Sequence, residues 1–225
     1  MRKLILYTIL FSVGLLFNSC NNDNESPQDN TALRELVTRN LTENIINVKL
    51  PEPLISNTNE NAKEVKAEFD FFVDLVGQLL TYLKVPENAI SSKITENEES
   101  YNWFGFFINS SVVVKYNITR GIDKFNFVYN VTAGDTTLDA IKGYTSSNEQ
   151  NGVFFVDTGS PVSLSWKITD SSNLILELMT PEKTTFTINK NNRSGKITYD
   201  TGVIYEWLEN GSGQKTDENN TVFKW

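Results

Sequence analysis

The chain has 225 residues and a net charge of −8, with 20 basic and 28 acidic side chains, one cysteine and no histidine. Such an acidic balance repels phosphate backbones, which argues against nucleic-acid binding. The missing histidine and the lone thiol exclude Ser-His and Cys-His nucleophile pairs, His-liganded zinc, thiolate metal sites and intrachain disulfides.

Arg2 and Lys3 open the chain, followed by an apolar run from Leu4 to Phe17 that only Thr8, Ser12 and Gly14 interrupt. A charged start, a short apolar core and small Ser19 before a cut make a secretory leader over residues 1–19. As a helix the run would measure about 21 Å against a hydrocarbon core of about 30 Å, too short for a permanent span.

Phe17-Asn18-Ser19-Cys20 is similar to the lipobox that ends bacterial lipoprotein signals. Ser19 and Cys20 match it, while Phe17 and Asn18 depart from the usual Leu and Ala or Ser. With Asn21, Asp23 and Glu25 behind the cysteine, the box resembles those of Bacteroidetes lipoproteins. The resemblance covers about the first 25 residues and implies that Cys20 is the lipid attachment site and the mature N-terminus. Each buried methylene contributes about 0.8 kcal/mol, and two acyl chains suffice for stable anchoring. The membrane is then the first expected partner, and the cell envelope the expected location. Asn21 lacks the Asp associated with inner-membrane retention in enteric bacteria, which favours the outer membrane. Loss of the leader removes Arg2 and Lys3 and no acid, taking the net charge to −10.

Residues 20–30 are polar apart from the cysteine, contain Pro27, and read as a flexible tether. From Thr31 to about Ile46, Leu33, Leu36, Val37 and Leu41 recur at helical spacing before the break Pro51-Glu52-Pro53. A longer helix is predicted from about Asn59 to Lys84. Its Ala62, Val65, Phe69, Phe72, Val76, Leu79 and Leu83 form one apolar stripe opposite Lys63, Lys66, Asp70 and Gln78, and Pro86 stops it. Burial against the chain's own core is the expected use of that stripe.

From Tyr101 the period changes to two. Val112, Val114, Tyr116 and Ile118 alternate with polar neighbours, as do Phe125, Phe127 and Tyr129, and Val162, Leu164, Trp166 and Ile168. Turn residues such as Arg120-Gly121 and Asp200-Thr201-Gly202 separate the runs, giving roughly nine or ten strands. Residues 136–144 fit a short helix or a strand. The expected fold is α+β: a helical segment over 31–85 packed on an antiparallel β domain over 86–225. That domain reads as a strongly curved meander, a sandwich or a partly open barrel, with 31–225 as one folding unit.

Carboxylates are the main catalytic currency left. Glu177 sits in Leu174-Ile175-Leu176-Glu177-Leu178-Met179 and Glu206 in Ile204-Tyr205-Glu206-Trp207-Leu208, runs apolar enough for burial on both faces. A glycoside hydrolase needs two such groups about 5–10 Å apart, whereas a strand Glu ordinarily faces solvent. Ser212-Gly213-Gln214-Lys215 matches Ser-x-x-Lys, but no apolar helix follows to align the pair. Trp103, Trp166, Trp207 and Trp225 suit either core packing or stacking on a sugar. Loops 189–192 and 217–220 offer oxygen ligands without EF-hand spacing. Asp135-Thr136-Thr137 is similar to the short O-glycan acceptor of Bacteroidetes exported proteins.

These readings predict a non-enzymatic, membrane-anchored binding lipoprotein that needs no cofactor or metal. Its ligand would be a glycan, a lipid or an envelope protein. A hydrophobic-ligand carrier with a lipocalin-like barrel is the alternative, and a carboxylate glycoside hydrolase on Glu177 and Glu206 the less favoured one.

Overall fold

The computed structural model describes residues 32–107, 110–157, 162–169 and 172–225. The leader, Cys20 and the tether lie outside them. Helix α1 spans Leu33–Leu41 and runs into a π-helical turn, Thr42–Ile46. Helix α2 is the single turn Glu52–Ile55, and α3 is Glu60–Leu83. The strands follow as β1 Ile90–Thr95, β2 Glu98–Phe107, β3 Ser110–Arg120, β4 Lys124–Ala133, β5 Thr136–Ser146, β6 Asn151–Val156 and β7 Val162–Ile168. The second half comprises β8 Asn173–Met179, β9 Lys183–Asn189, β10 Gly195–Tyr199, β11 Ile204–Trp207, β12 Gly213–Thr216 and β13 Val222–Lys224.

Helix α3 forms where its periodicity placed it. Asn59 caps it by accepting a bond from the Asn61 N–H at 2.9 Å, and Lys63 pairs with Glu60 at 2.6 Å on the wet face. All seven stripe residues are buried, together with Leu75 and Leu80. Pro51, expected only as a break, instead precedes the single turn of α2, with Pro53 in its first turn.

The β region is one antiparallel sheet of thirteen strands in strict sequence order, β1 to β13. Each strand pairs only with its neighbours in the chain, and the sheet does not close. This corrects the sandwich and the barrel, and the count of nine or ten. Alternation misses β1, exposed along its whole length, and β12 and β13, where neither face is distinctly buried. Residues 136–146 are strand β5, whose shift of register between Tyr129 and Asn130 interrupts the period there.

One face of the sheet carries the core. Tyr116, Ile118, Phe127, Phe154, Leu164, Trp166, Leu176, Phe186, Ile188 and Ile197 all lie on it with almost no exposure. Helix α3 crosses this covered face diagonally. Glu64 meets Tyr205 of β11, Phe72 packs 5.0 Å from Phe186 of β9, and Tyr82 lies 6.4 Å from Tyr129 of β4. The opposite, open face carries most of the polar strand residues, with apolar Phe104, Phe155, Ile175 and Met179 among them.

Aromatic rings on the covered face pack over glycines. Gly152 faces Trp166, Gly195 faces Trp207 and Gly143 faces Phe127 across neighbouring strands, and Gly213 exchanges backbone bonds with Trp225. A Cβ at Gly152, Gly195 or Gly213 would collide with the indole above it. The missing side chains make room for rings that conceal the bare backbone.

In such a meander alternate turns gather at opposite ends. The helical segment Leu33–Ile55 runs along one of them, here called the proximal end. The Leu33 N–H donates to Glu99 Oε1 at 2.6 Å near the β1–β2 turn, and Arg39 pairs with Glu149 of the β5–β6 turn at 2.7 Å. Lys190 of the β9–β10 turn donates to Asn44 Oδ1 at 3.1 Å. Gly211, in the β11–β12 turn with φ +80°, leaves room for the backbone of Pro53.

Candidate functional site

A groove of about 720 Å³ opens on the open face of β8–β13, toward the proximal end. Strand register explains its composition. Ile175, Thr187, Lys196, Glu206, Gln214 and Lys224 lie opposite one another across six strands, so they form one row on one face. Asn173, Asn189 and Ser194 border the row and Leu208 adds apolar surface, while the Trp225 indole lies over Gly213 on the covered face. Within the row the Gln214 amide donates to Glu206 Oε2 at 2.8 Å, and Lys196 stands 3.5 Å from Glu206 Oε1. The carboxylate is thereby fixed in orientation, with amides, ammoniums and hydroxyls around it.

The structure separates the two candidate acids. Glu177 does not line the groove. It sits on the open face of β8, paired with Lys183 at 2.6 Å, while Leu174, Leu176 and Leu178 alternate onto the core. Both runs are therefore buried on one face only, which corrects the expectation of two-sided burial. Glu206 is three strands away from Glu177 and two residues further along its row. At about 4.8 Å per strand this amounts to roughly 16 Å, beyond the spacing of either hydrolase geometry. Glu206 is the one carboxylate among the groove's lining residues.

Other candidates resolve similarly. Ser212 donates to Asn210 Oδ1 at 2.7 Å within a turn. Lys215 points through the covered face to Glu64 at 2.8 Å, so the Ser-x-x-Lys pair does not converge. Trp103, Trp166 and Trp207 are core residues, and only Trp225 is partly exposed. In both loops proposed for oxygen ligands a side-chain oxygen caps its own turn: Asn189 accepts from the Asn191 and Asn192 N–H groups, and Asp217 from those of Asn219 and Thr221. Among the described residues no group of three or more Asp, Glu, His or Cys converges to hold a metal. Thr136 and Asp135 are exposed at a turn, and Thr137 shares a hydroxyl bond with Thr132 at 2.9 Å. Cys20 lies outside the described residues, among which no helix is long and apolar enough to cross a membrane.

Two polar clusters, one buried and one partly exposed, escaped the sequence reading. Glu99, 3 % exposed, accepts from the Leu33 and Arg34 N–H groups and from Tyr101 Oη at 3.0 Å, capping α1 from a distant strand. Burial, reinforced by the Glu99 charge, pushes the Tyr101 hydroxyl up to about 12. At the other end of the covered face, Glu64 accepts from Lys215 and from Tyr205 Oη at 2.5 Å. Partial burial opposes the Glu64 charge, but these two donors outweigh it and hold the carboxyl below its ordinary value. The same contact raises Lys215. On the covered face, Tyr116 Oη and Trp166 Nε1 are buried without a hydrogen-bond partner.

Of all these, the alternation of β2 could have revealed Glu99, since it shares a face with Tyr101 and Trp103. The groove amides gave no signal, because polar residues on an open face look like any solvated strand. Comparison with protein-family models, with curated proteins and with solved structures finds no match.

Proposed function

We propose that the chain is an envelope lipoprotein, held through acylated Cys20, that binds a ligand non-covalently in the open-face groove. A glycan is the class this groove suits. Amides of Asn173, Asn189 and Gln214, the oriented Glu206 carboxylate and the Lys196 ammonium offer the mixed donors and acceptors that sugar hydroxyls need. Leu208, exposed at 59 %, supplies apolar surface for one face of a sugar ring. The observation that carries the reading is the continuous polar row from Thr187 to Lys224, in which a single carboxylate is already engaged by Lys196 and Gln214. Acid–base cleavage of a glycoside needs a second carboxyl that the groove does not line. Calorimetric titration of the purified mature chain with envelope and host polysaccharides tests this. Glu206→Ala and Gln214→Ala should each weaken binding by about tenfold, as truncating a buried polar contact does. Binding that survives both variants undiminished refutes the site.

One observation favours the carrier reading: Tyr116 Oη and Trp166 Nε1 are buried on the covered face without a partner, and a bound amphiphile could satisfy either. Against it, the α3 stripe already fills that face with Phe72 and Val76, each fully buried. Mass spectrometry of lipid co-purifying with the mature chain separates the two readings.

A further inference from the structure

We infer that the proximal end of the sheet is a membrane-facing surface, with the β3–β4 turn at Ile122 as its lipid-contacting tip. The inference rests on the lipoprotein reading and adds an orientation to it. Its first support is where the chain enters the domain. Glu99 holds the start of α1 at the β1–β2 turn, so the polypeptide leading from Cys20 arrives at this end and at no other. Twelve residues separate Cys20 from Leu33. Extended backbone allows them at most about 45 Å.

The second support is the contrast between the two sets of turns. At the far end every turn tip that the structure describes in full carries an acid: Asp135, Glu182, Asp200, and Asp217 with Glu218. A headgroup layer, anionic above all, repels that fringe. At the proximal end stand Arg34, Arg39, Arg120 and Arg193, which are all the arginines beyond the leader, together with Lys124 and Lys190. Glu96, Asp123, Glu149 and Glu209 sit on the same turns, so this end mixes cations with acids, whereas the described turns at the opposite end carry acids and no arginine.

The third support is Ile122 itself. It is fully exposed at the tip of Arg120-Gly121-Ile122-Asp123-Lys124, and Leu208 is exposed at 59 % in the β11–β12 turn of the same end. An aliphatic tip between two cations matches an interface, with the side chain at the acyl boundary and the charges among headgroups. Beside it lies a polar depression of about 320 Å³, lined by Asp123 and Lys124 with Tyr144, Ser146, Ser147 and Asn148, a mixed-charge lining with room for a zwitterionic headgroup.

The test uses the lone thiol. The mature chain from Cys20 is coupled to maleimide lipid in phosphatidylcholine–phosphatidylglycerol vesicles, with part of the lipid brominated in the acyl chains. Two variants, Ile122→Trp at the proximal tip and Thr201→Trp at the far one, are compared with the wild-type fluorescence as background. Both positions are exposed, so neither change disturbs the core. For a residue seated 5–10 Å into the interface, bromine should quench the added emission of I122W about twofold more than that of T201W. Equal quenching, stronger quenching of T201W, or none in either variant overturns the inference. Acylation is followed separately, by metabolic labelling of wild type and Cys20→Ser with a palmitate analogue. If that label is absent, the lipoprotein reading fails while the vesicle result, obtained by chemical coupling, still reports the orientation.

Discussion

Glu99 gives the sharpest quantitative test of how the helical segment is held. Its carboxylate lies on the covered face of β2 and accepts three bonds, two of them from the first N–H groups of α1. Those N–H groups have no partner within the helix, and the positive end of the helix dipole favours an anion there. Glu99→Ala removes all three bonds at once. Hydrogen bonds to a charged group contribute about 1.5–3 kcal/mol each, but the exposed side of the helix start can recruit water. The buried Tyr101 hydroxyl has less access to it. A net loss of about 3 kcal/mol follows, concentrated on α1. Glu99→Gln retains one carbonyl acceptor and should lose about 1 kcal/mol.

The expected result has two parts. Urea unfolding should show the midpoint falling in the order wild type, E99Q, E99A. Hydrogen exchange should show the amides of residues 33–41 losing protection in E99A well beyond those of α3. If E99A unfolds within about 0.5 kcal/mol of wild type, the carboxylate does not fix α1, and the cap has been overvalued. If α1 and α3 lose protection equally, the helices unfold as one unit, and the reasoning about a locally held entry point is wrong.

Other substitutions probe the core and the sheet. Phe72→Ala opens a cavity between α3 and Phe186 and should cost about 3–5 kcal/mol in a denaturant titration. Gly152→Ala drives a methyl into the Trp166 ring and should cost about 1–3 kcal/mol, while Gly77→Ala in α3, with open space around its Cβ position, should raise stability by up to about 1 kcal/mol. Thermal melts of the two alanine variants should therefore move in opposite directions. The Glu64 carboxyl, held low, contributes fully above its unfolded value, and the contribution fades as pH falls through the folded one; Lys215, held high, contributes below its unfolded value, and this is lost as pH rises through the folded one. Both side chains are partly exposed, so the pair is worth less than about 1 kcal/mol, and Glu64→Gln should flatten both limbs of a stability profile, because it removes the carboxylate and with it the chief cause of the raised Lys215.

Much of this fold was legible wherever one physical cause dominated the residue choice. The α3 stripe repeats at helical spacing because a single face is buried along its whole length, and every stripe position proved to be core. The central strands were equally plain, since Tyr116, Phe127 and Trp166 alternate with solvated neighbours. Legibility failed where causes compete. β1 and β13 are edge strands that bury little, so nothing selects an apolar alternation in them. In Leu174–Met179 the open-face residues Ile175 and Met179 are themselves apolar, which imitates burial on both sides and made Glu177 look interior. Strand order and closure depend on pairings that composition does not encode. A thirteen-strand meander and a barrel draw on the same alternation.

The absence of closure has a physical counterpart in the two edges. β1 carries a register shift between Ser91 and Lys93, and Lys93 pairs with Glu98; β13 is three residues long and ends in Lys224. A bulge, charges and brevity are devices that discourage pairing between sheet edges. They act against β1 meeting β13 and equally against a second copy adding to either. An open sheet must still cover one face, and here α3 does so, with Phe72, Val76 and Leu79 in the place a ligand would occupy in a barrel. That assignment constrains where recognition takes place. With one face given to the chain's own helix and the edges guarded, the uncommitted surfaces are the open face and the two rims of turns. The groove lies on the open face and the start of α1 is held at one rim, so the proposed anchoring and ligand binding would use different surfaces and leave the core in place.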